Sequence, residues 1–183
     1  MFLIIGLGNP GKKYEKTRHN VGFRVIEKLL NDRLTTVDKK QKFGAEIFET
    51  EVTGKKAILA KPQTFMNLSG QTVKSLIRNY KIKTANLVVI HDDIDLPSGK
   101  IKVSTNRGSA GHKGVQSIID ALGTKNFTRL RIGIKYHQAT IKNVEKFVLQ
   151  KFTRNEEKTL KDVFRNSTEA IKILLKEKAE KEM

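Results

Sequence analysis

Four polar stretches of this 183-residue chain, each following an apolar run or a predicted turn, hold residues able to move a proton or grip a carbonyl. Asn9 and His19 come after "FLIIGLG"; Asn67 lies in "KPQTFMNLSG"; Asp92, Asp93 and Asp95 lie in "HDDIDLPSG"; Arg107, His112 and Lys113 lie in "NRGSAGHKG". A neutral imidazole takes a proton from water, a carboxylate orients that imidazole, and side-chain amides donate to a carbonyl or a developing oxyanion. Together these are the parts for ester or amide hydrolysis by an activated water. In an open α/β sheet the carboxyl ends of parallel strands share one cleft, so parallel apolar runs would bring the stretches together.

Competing readings are weaker. Gly6, Gly8 and Gly11 have G-x-G-x-x-G spacing, but a dinucleotide loop needs its helix to begin inside the loop. Here Pro10 and "KKYEKTR" intervene, helical periodicity starts only at Val21, and Asp38 closes a weak, polar strand. The glycines mark a tight turn open to close approach. There is no G-x-S-x-G for a serine nucleophile, and Gly99-Lys100 lacks the rest of a phosphate-binding Walker loop. His91 ends an apolar run and reads first as a packed histidine, His137 has no local signal, and Asp93 and Asp95 read as turn acceptors. Phe65 and Met66 are evenly balanced between core and surface. His91, Asp92, Asp93 and Asp95 also form a set of hard-metal ligands, and a metal-dependent nuclease or phosphoesterase is the rival enzyme class. A non-catalytic RNA-binding module is the other rival.

The elements that would position these residues alternate in type. Apolar runs predict strands near 2–5, 57–61, 87–91 and 130–134. Asn20 is placed to cap a helix carrying Val21, Val25, Ile26, Leu29 and Leu30, and helical spacing recurs at Val73, Leu76, Ile77 and Tyr80 and at Val115, Ile118, Ile119 and Leu122. The stretch "KFGAEIFETEVTGKKAILAK" alternates around a Thr53-Gly54 turn, which predicts a hairpin and a mixed sheet. An amphipathic helix is expected over about 155–181. The fold class is α/β, in one domain spanning 1–183.

Composition bounds the partners. Lys and Arg number 36 against 19 Asp and Glu, a net charge of +17 that favours a polyanion, with nucleic acid first. The absence of cysteine excludes disulfides and thiol nucleophiles and fits a reducing cytoplasm. No run is long enough to span a bilayer, so a soluble, unprocessed protein is expected.

In order along the chain, "GLGNPGKKYEKTRHNVGF", "KPQTFMNLSGQTV", "HDDIDLPSGKIK", "GHKG" and "FTRLRIGI" resemble the motifs of the bacterial peptidyl-tRNA hydrolase family. The resemblance implies a single-domain three-layer α/β/α fold with a twisted mixed sheet, monomeric and without metal or cofactor. It implies cleavage of the ester between a peptide and the tRNA 3′ end, with the acceptor end of peptidyl-tRNA as partner. Matched position by position, His19 is the general base, Asp92 its supporting carboxylate and Asn9 the residue that tells blocked from free aminoacyl groups. Tyr14, Phe65, Asn67 and Lys113 fall at substrate-binding positions, and Arg131 at a phosphate contact. Lys113 stands where the family usually has Asn, and Ser104 where a phosphate-contacting Lys is expected, leaving Lys102 and Arg107 as candidate replacements. After the last predicted strand, Lys135 and His137 replace the usual Gly and Pro.

Overall fold

Alternation along the first strand already divides the molecule into layers. In β1, Phe2–Gly6, the side chains of Phe2 and Ile4 pack with Val21, Val25, Ile26 and Leu29 of helix α1, Val21–Asn31. Leu3 and Ile5 point the other way, toward Val73 and Leu76 of α2, Ser69–Tyr80. A strand buried on both faces must be apolar throughout, which is why "FLII" lacks the polar alternation of a surface strand.

The computed structural model describes residues 1–32, 37–136 and 141–181; His137 lies outside them. Six further strands complete one sheet: β2 Asp38–Lys42, β3 Ala45–Val52, β4 Lys55–Pro62, β5 Leu87–Pro97, β6 Ile101–Thr105 and β7 Thr128–Lys135. Their spatial order is β2-β3-β4-β1-β5-β7-β6. β1 is parallel to both β4 and β5, and β5 to β7, whereas β2–β3, β3–β4 and β6–β7 pair antiparallel. The remaining helices are α3, Lys113–Leu122, α4, Val144–Val148, and α5, Arg154–Glu180. One core joins α1 and α5 to the sheet and the other joins α2 and α3 to its opposite face, giving the three-layer α/β/α arrangement with a mixed sheet. No helix among the described residues is long and apolar enough to cross a membrane.

The β3–β4 hairpin turns at Thr53 and Gly54, both at positive φ (52° and 73°), the backbone handedness that matches strand twist in a two-residue loop. β5 extends beyond the apolar run: Asp92 and Asp93 continue its pairing with β7, and the register shifts only between Asp93 and Pro97. Asp92, Asp93 and Asp95 therefore sit in a strand, where the sequence reads as a loop.

One close approach sets the site. A Cβ on Gly22 would lie 2.5 Å from both Leu7 N and Ile90 O, and one on Gly6 would lie 2.3 Å from Gly22 O. Only glycine lets the first turn of α1 rest directly on the ends of β1 and β5. The preceding single turn, Arg18–Asn20, is thereby set at the carboxyl end of the sheet.

Candidate active site

His19 lies in that buried turn, and its Nδ1 is 2.9 Å and 3.0 Å from the two carboxylate oxygens of Asp92. Since the carboxylate accepts, Nδ1 carries the hydrogen and Nε2 keeps its lone pair. Nε2 makes no hydrogen bond among the described residues and is not sealed from solvent. The ring is thus oriented at one nitrogen and free to take a proton at the other.

A second imidazole holds the same carboxylate. His112 Nε2 donates to Asp92 Oδ1 at 3.0 Å, while its Nδ1 accepts the Val115 N–H at 3.2 Å as the cap of α3. The backbone donor fixes the His112 tautomer. His112 was legible only as a loop residue; its place just before the apolar helical spacing of Val115, Ile118 and Ile119 was the available signal for a cap. His91 is buried beside it, donating Nδ1–H to the Asp92 carbonyl oxygen at 2.6 Å and leaving Nε2 without a partner among the described residues. Burial, then the neighbouring His112, holds His91 well below the usual imidazole range, so it stays neutral. Asp92 feels a strong upward push from burial, but His19 and His112 outweigh it and hold the carboxyl well below its usual range.

Asn9 is oriented by three bonds. Its backbone N–H donates to Asn20 Oδ1 at 2.9 Å, Asn20 Nδ2 donates back to Asn9 O at 2.9 Å, and Asn9 Oδ1 accepts the Met66 N–H at 2.8 Å. The amide is therefore turned so that Nδ2, with no partner among the described residues and not sealed from solvent, is the donor left for a ligand. Asn20 precedes α1 but makes no side-chain capping bond; it closes the "GLGNPG" loop instead. Neighbours diverge at the next stretch: Met66 is buried, whereas Phe65 is 55% exposed. Asn67 is exposed with no hydrogen bond among the described residues, and Tyr14 is half-buried with Lys13 Nζ 4.8 Å from its ring centre.

A cavity of about 350 Å³ adjoins the histidine cluster, walled by Ile94, Ala110, Val144 and Val148. Lys113 and Glu145 both line it and pair at 2.5 Å. Both are largely exposed, so the pair is readily exchanged for another partner. On the face of the sheet toward α3, Arg131 Nε donates to Asp93 Oδ2 at 2.6 Å. The side chain of Arg129, two residues earlier, is buried yet makes no hydrogen bond among the described residues. Burial, followed by Arg131, lowers its affinity for its proton, and Arg107 acts in the same direction. Lys102 and Arg107 are exposed nearby, and Ser104, opposite Arg129 in the strand register, has a buried, unpartnered Oγ. Arg129 had no distinguishing signal in the sequence.

The metal-ligand set does not converge. Asp92 and Asp93 leave opposite faces of β5, Asp93 is taken by Arg131, and its other oxygen accepts the Asp95 N–H at 2.9 Å. His19, Asp92 and His112 do offer ligand atoms within 4.8 Å of one another. The two nitrogens concerned point N–H groups at the carboxylate, however, and a cation would need both rings in other tautomers and α3 without its cap.

Residues 3–183 match the peptidyl-tRNA hydrolase family. The chain is 44% identical over 178 residues to the peptidyl-tRNA hydrolase of Lawsonia intracellularis, covering 97% of this chain and 89% of that one. It is 43% identical over 185 residues to that of Thermodesulfovibrio yellowstonii, covering 100% and 97%. Among solved structures, peptidyl-tRNA hydrolase from Acinetobacter baumannii is similar with a TM-score of 0.89 at 32% identity, over 99% of this chain and 91% of that one. A crystal structure of a peptidyl-tRNA hydrolase complexed with N-propanol gives a TM-score of 0.88, also at 32% identity.

Proposed function

Because the chain belongs to the peptidyl-tRNA hydrolase family and cleaves the ester joining a peptide to tRNA, we propose that His19 is the general base of that reaction. The carrying observation is the His19–Asp92 pair with Nε2 left open. Nε2 removes a proton from water as the water oxygen bonds to the ester carbonyl carbon. The imidazolium so formed is stabilised by the Asp92 carboxylate. When the tetrahedral intermediate collapses, the carbon–oxygen bond to the ribose breaks and the proton passes from Nε2 to the leaving ribose oxygen, giving free tRNA and a peptide acid. General-base help of this kind contributes roughly 10²- to 10⁴-fold.

Asn9 Nδ2 serves discrimination. An acylated amino group offers a carbonyl that accepts from Nδ2, whereas a free aminoacyl ammonium is itself a donor and cannot. Asn67 donates to the ester carbonyl, and Tyr14 and Phe65 offer rings to the unpaired 3′ end, where stacking tolerates any base. Lys102, Arg107 and Arg131 contact phosphates, with Lys113 at the cavity mouth. Phosphate contacts attract all tRNAs without reading sequence. In this reading the enzyme works as a cytoplasmic monomer on the acceptor end of peptidyl-tRNA, without metal or cofactor.

The test is to incubate the purified chain with N-acetyl-aminoacyl-tRNA, with and without EDTA. Intact tRNA plus N-acetyl-amino acid in both arms is the expected result. Cleaved RNA, or activity that only a divalent ion restores, overturns it.

A further inference from the structure

The residue before the base is held more elaborately than stability alone requires. Arg18 Nη2 donates to both oxygens of Glu156, at 2.9 Å and 2.8 Å, and Nη1 donates to the Lys151 carbonyl at 3.1 Å. The Arg18 backbone N–H donates to Gln150 O at 3.0 Å, and Thr17 forms a bridge with Lys151. The guanidinium lies 4.3 Å from the centre of the Phe147 ring and 5.4 Å from that of Phe152. Glu156 in turn closes the capping box of α5, accepting the Thr153 N–H at 2.7 Å. Both members of the ion pair are buried.

We propose that Arg18, locked to Glu156, is the positioning residue that sets the His19 ring against Asp92 and makes α5 part of the catalytic apparatus. This rests on His19 being the base. On its other side His19 is followed by Asn20, bonded twice to Asn9, so the base sits between two anchored neighbours. The anchors on the Arg18 side all come from residues 147–156, and α4, whose Val144 and Val148 wall the cavity, leads straight into that segment. Base and cavity wall are therefore held by one fixture.

A buried ion pair adds little net stability over an apolar pair of the same volume, because desolvation offsets the attraction. Arg18 Nε is moreover buried without a partner among the described residues, a defect that a contact serving stability alone would not keep. What the planar fork supplies is a single geometry. Reacting groups tolerate little displacement, and an error of about 1 Å costs on the order of 10²-fold in rate.

The experiment compares the full-length parent with Glu156→Gln, the double variant Arg18→Met/Glu156→Met, and His19→Ala. Readouts are the thermal midpoint, kcat and KM on N-acetyl-aminoacyl-tRNA, and the NMR resonance of the His19 Nδ1 proton. The expected result for the apolar double variant is a retained midpoint, a kcat lowered about 10- to 100-fold, a KM within about twofold of the parent, and a shifted or broadened His19 resonance. A folded double variant with parental kcat and resonance overturns the proposal. If the double variant does not fold, Glu156→Gln decides: parental kcat, or a kcat loss no larger than its loss of folded protein, overturns it too. An active His19→Ala would instead remove the base assignment itself, whatever the other variants do.

Discussion

His112 Nε2 donates at 3.0 Å to the same Asp92 oxygen that His19 Nδ1 reaches at 2.9 Å. The carboxylate thus faces His19 already engaged by a donor whose ring orientation is fixed by the N-terminus of α3. This holds the carboxylate in one rotamer, so that in the proposed reaction the imidazolium would form against a preset charge. Replacing His112 by Asn removes a charge-assisted bond of about 1.5–3 kcal/mol, and kcat should fall roughly 10- to 100-fold at near-constant KM. Single-turnover release of N-acetyl-amino acid measures this directly; an unchanged rate would show that Asp92 is held well enough without it.

His19→Ala should lose roughly 10²- to 10⁴-fold in kcat while its tRNA affinity, read by fluorescence anisotropy, stays near the parent's. In the proposed reaction the imidazole acts on water, whereas affinity comes from phosphates. Asp92→Asn should also slow turnover, since an amide cannot stabilise the imidazolium. Parental turnover in His19→Ala would leave the reaction without its base.

Acid should destabilise the fold in two stages. His91 is held neutral by burial, with a folded pKa below its unfolded value of about 6.5, so its proton is bound more readily by the unfolded chain as pH drops below that value. Stability is full above about pH 6.5 and declines toward the folded pKa. Asp92 has the same sign at lower pH: its contribution is full above about pH 4 and is lost as acid approaches the depressed folded pKa. Thermal midpoints from pH 8 to pH 4 check the first stage, and His91→Asn, which can still donate to the Asp92 carbonyl, should flatten it.

Lys113 and Glu145 should answer to salt. If Lys113 exchanges Glu145 for a phosphate of the incoming 3′ end, Glu145→Gln should lower KM for tRNA substrates at low salt, and Lys113→Asn should raise it. Lys113→Asn should also reduce the slope of log KM against log salt by about 0.7, the release expected for one contact on single-stranded nucleic acid. Small esters without phosphates should show neither effect. Equal slopes in parent and Lys113→Asn would leave Lys113 as a surface charge.

What the sequence disclosed and what it hid divide along physical lines. β1 and the start of β5 were readable because strands covered on both faces are written in apolar residues. β2 was not: "DKKQK" is an exposed edge strand, and neither its pattern nor its composition differs from a loop. The end of β5 was hidden because its carboxylates serve the site rather than the core. The helix over 155–181 is read from its apolar stripe, and α5 spans Arg154–Glu180. Motif order and the predicted strand ends put His19 and Asp92 forward as candidates, while the second donor on Asp92, His112, lies twenty residues away and carries no local sign of that pairing. Asn20 looked like a cap because its position was right; that it closes a loop eleven residues back is a tertiary fact. The pairing of Arg18 with Glu156, 138 residues apart, left no local trace at all.

That separation bears on when the enzyme comes to life. Parallel strands cannot be joined by hairpins, and distant pairings bear their loop-closure entropy before any contact rewards them. The β3–β4 hairpin can form locally, but His19 must wait for Asp92, 73 residues later, and Arg18 for Glu156. In refolding, ester hydrolysis should return after the far-ultraviolet helical signal. As the chain is made, His19 precedes each of its distant anchors, so the turn that carries it stays unset until residues 147–156 have been synthesised.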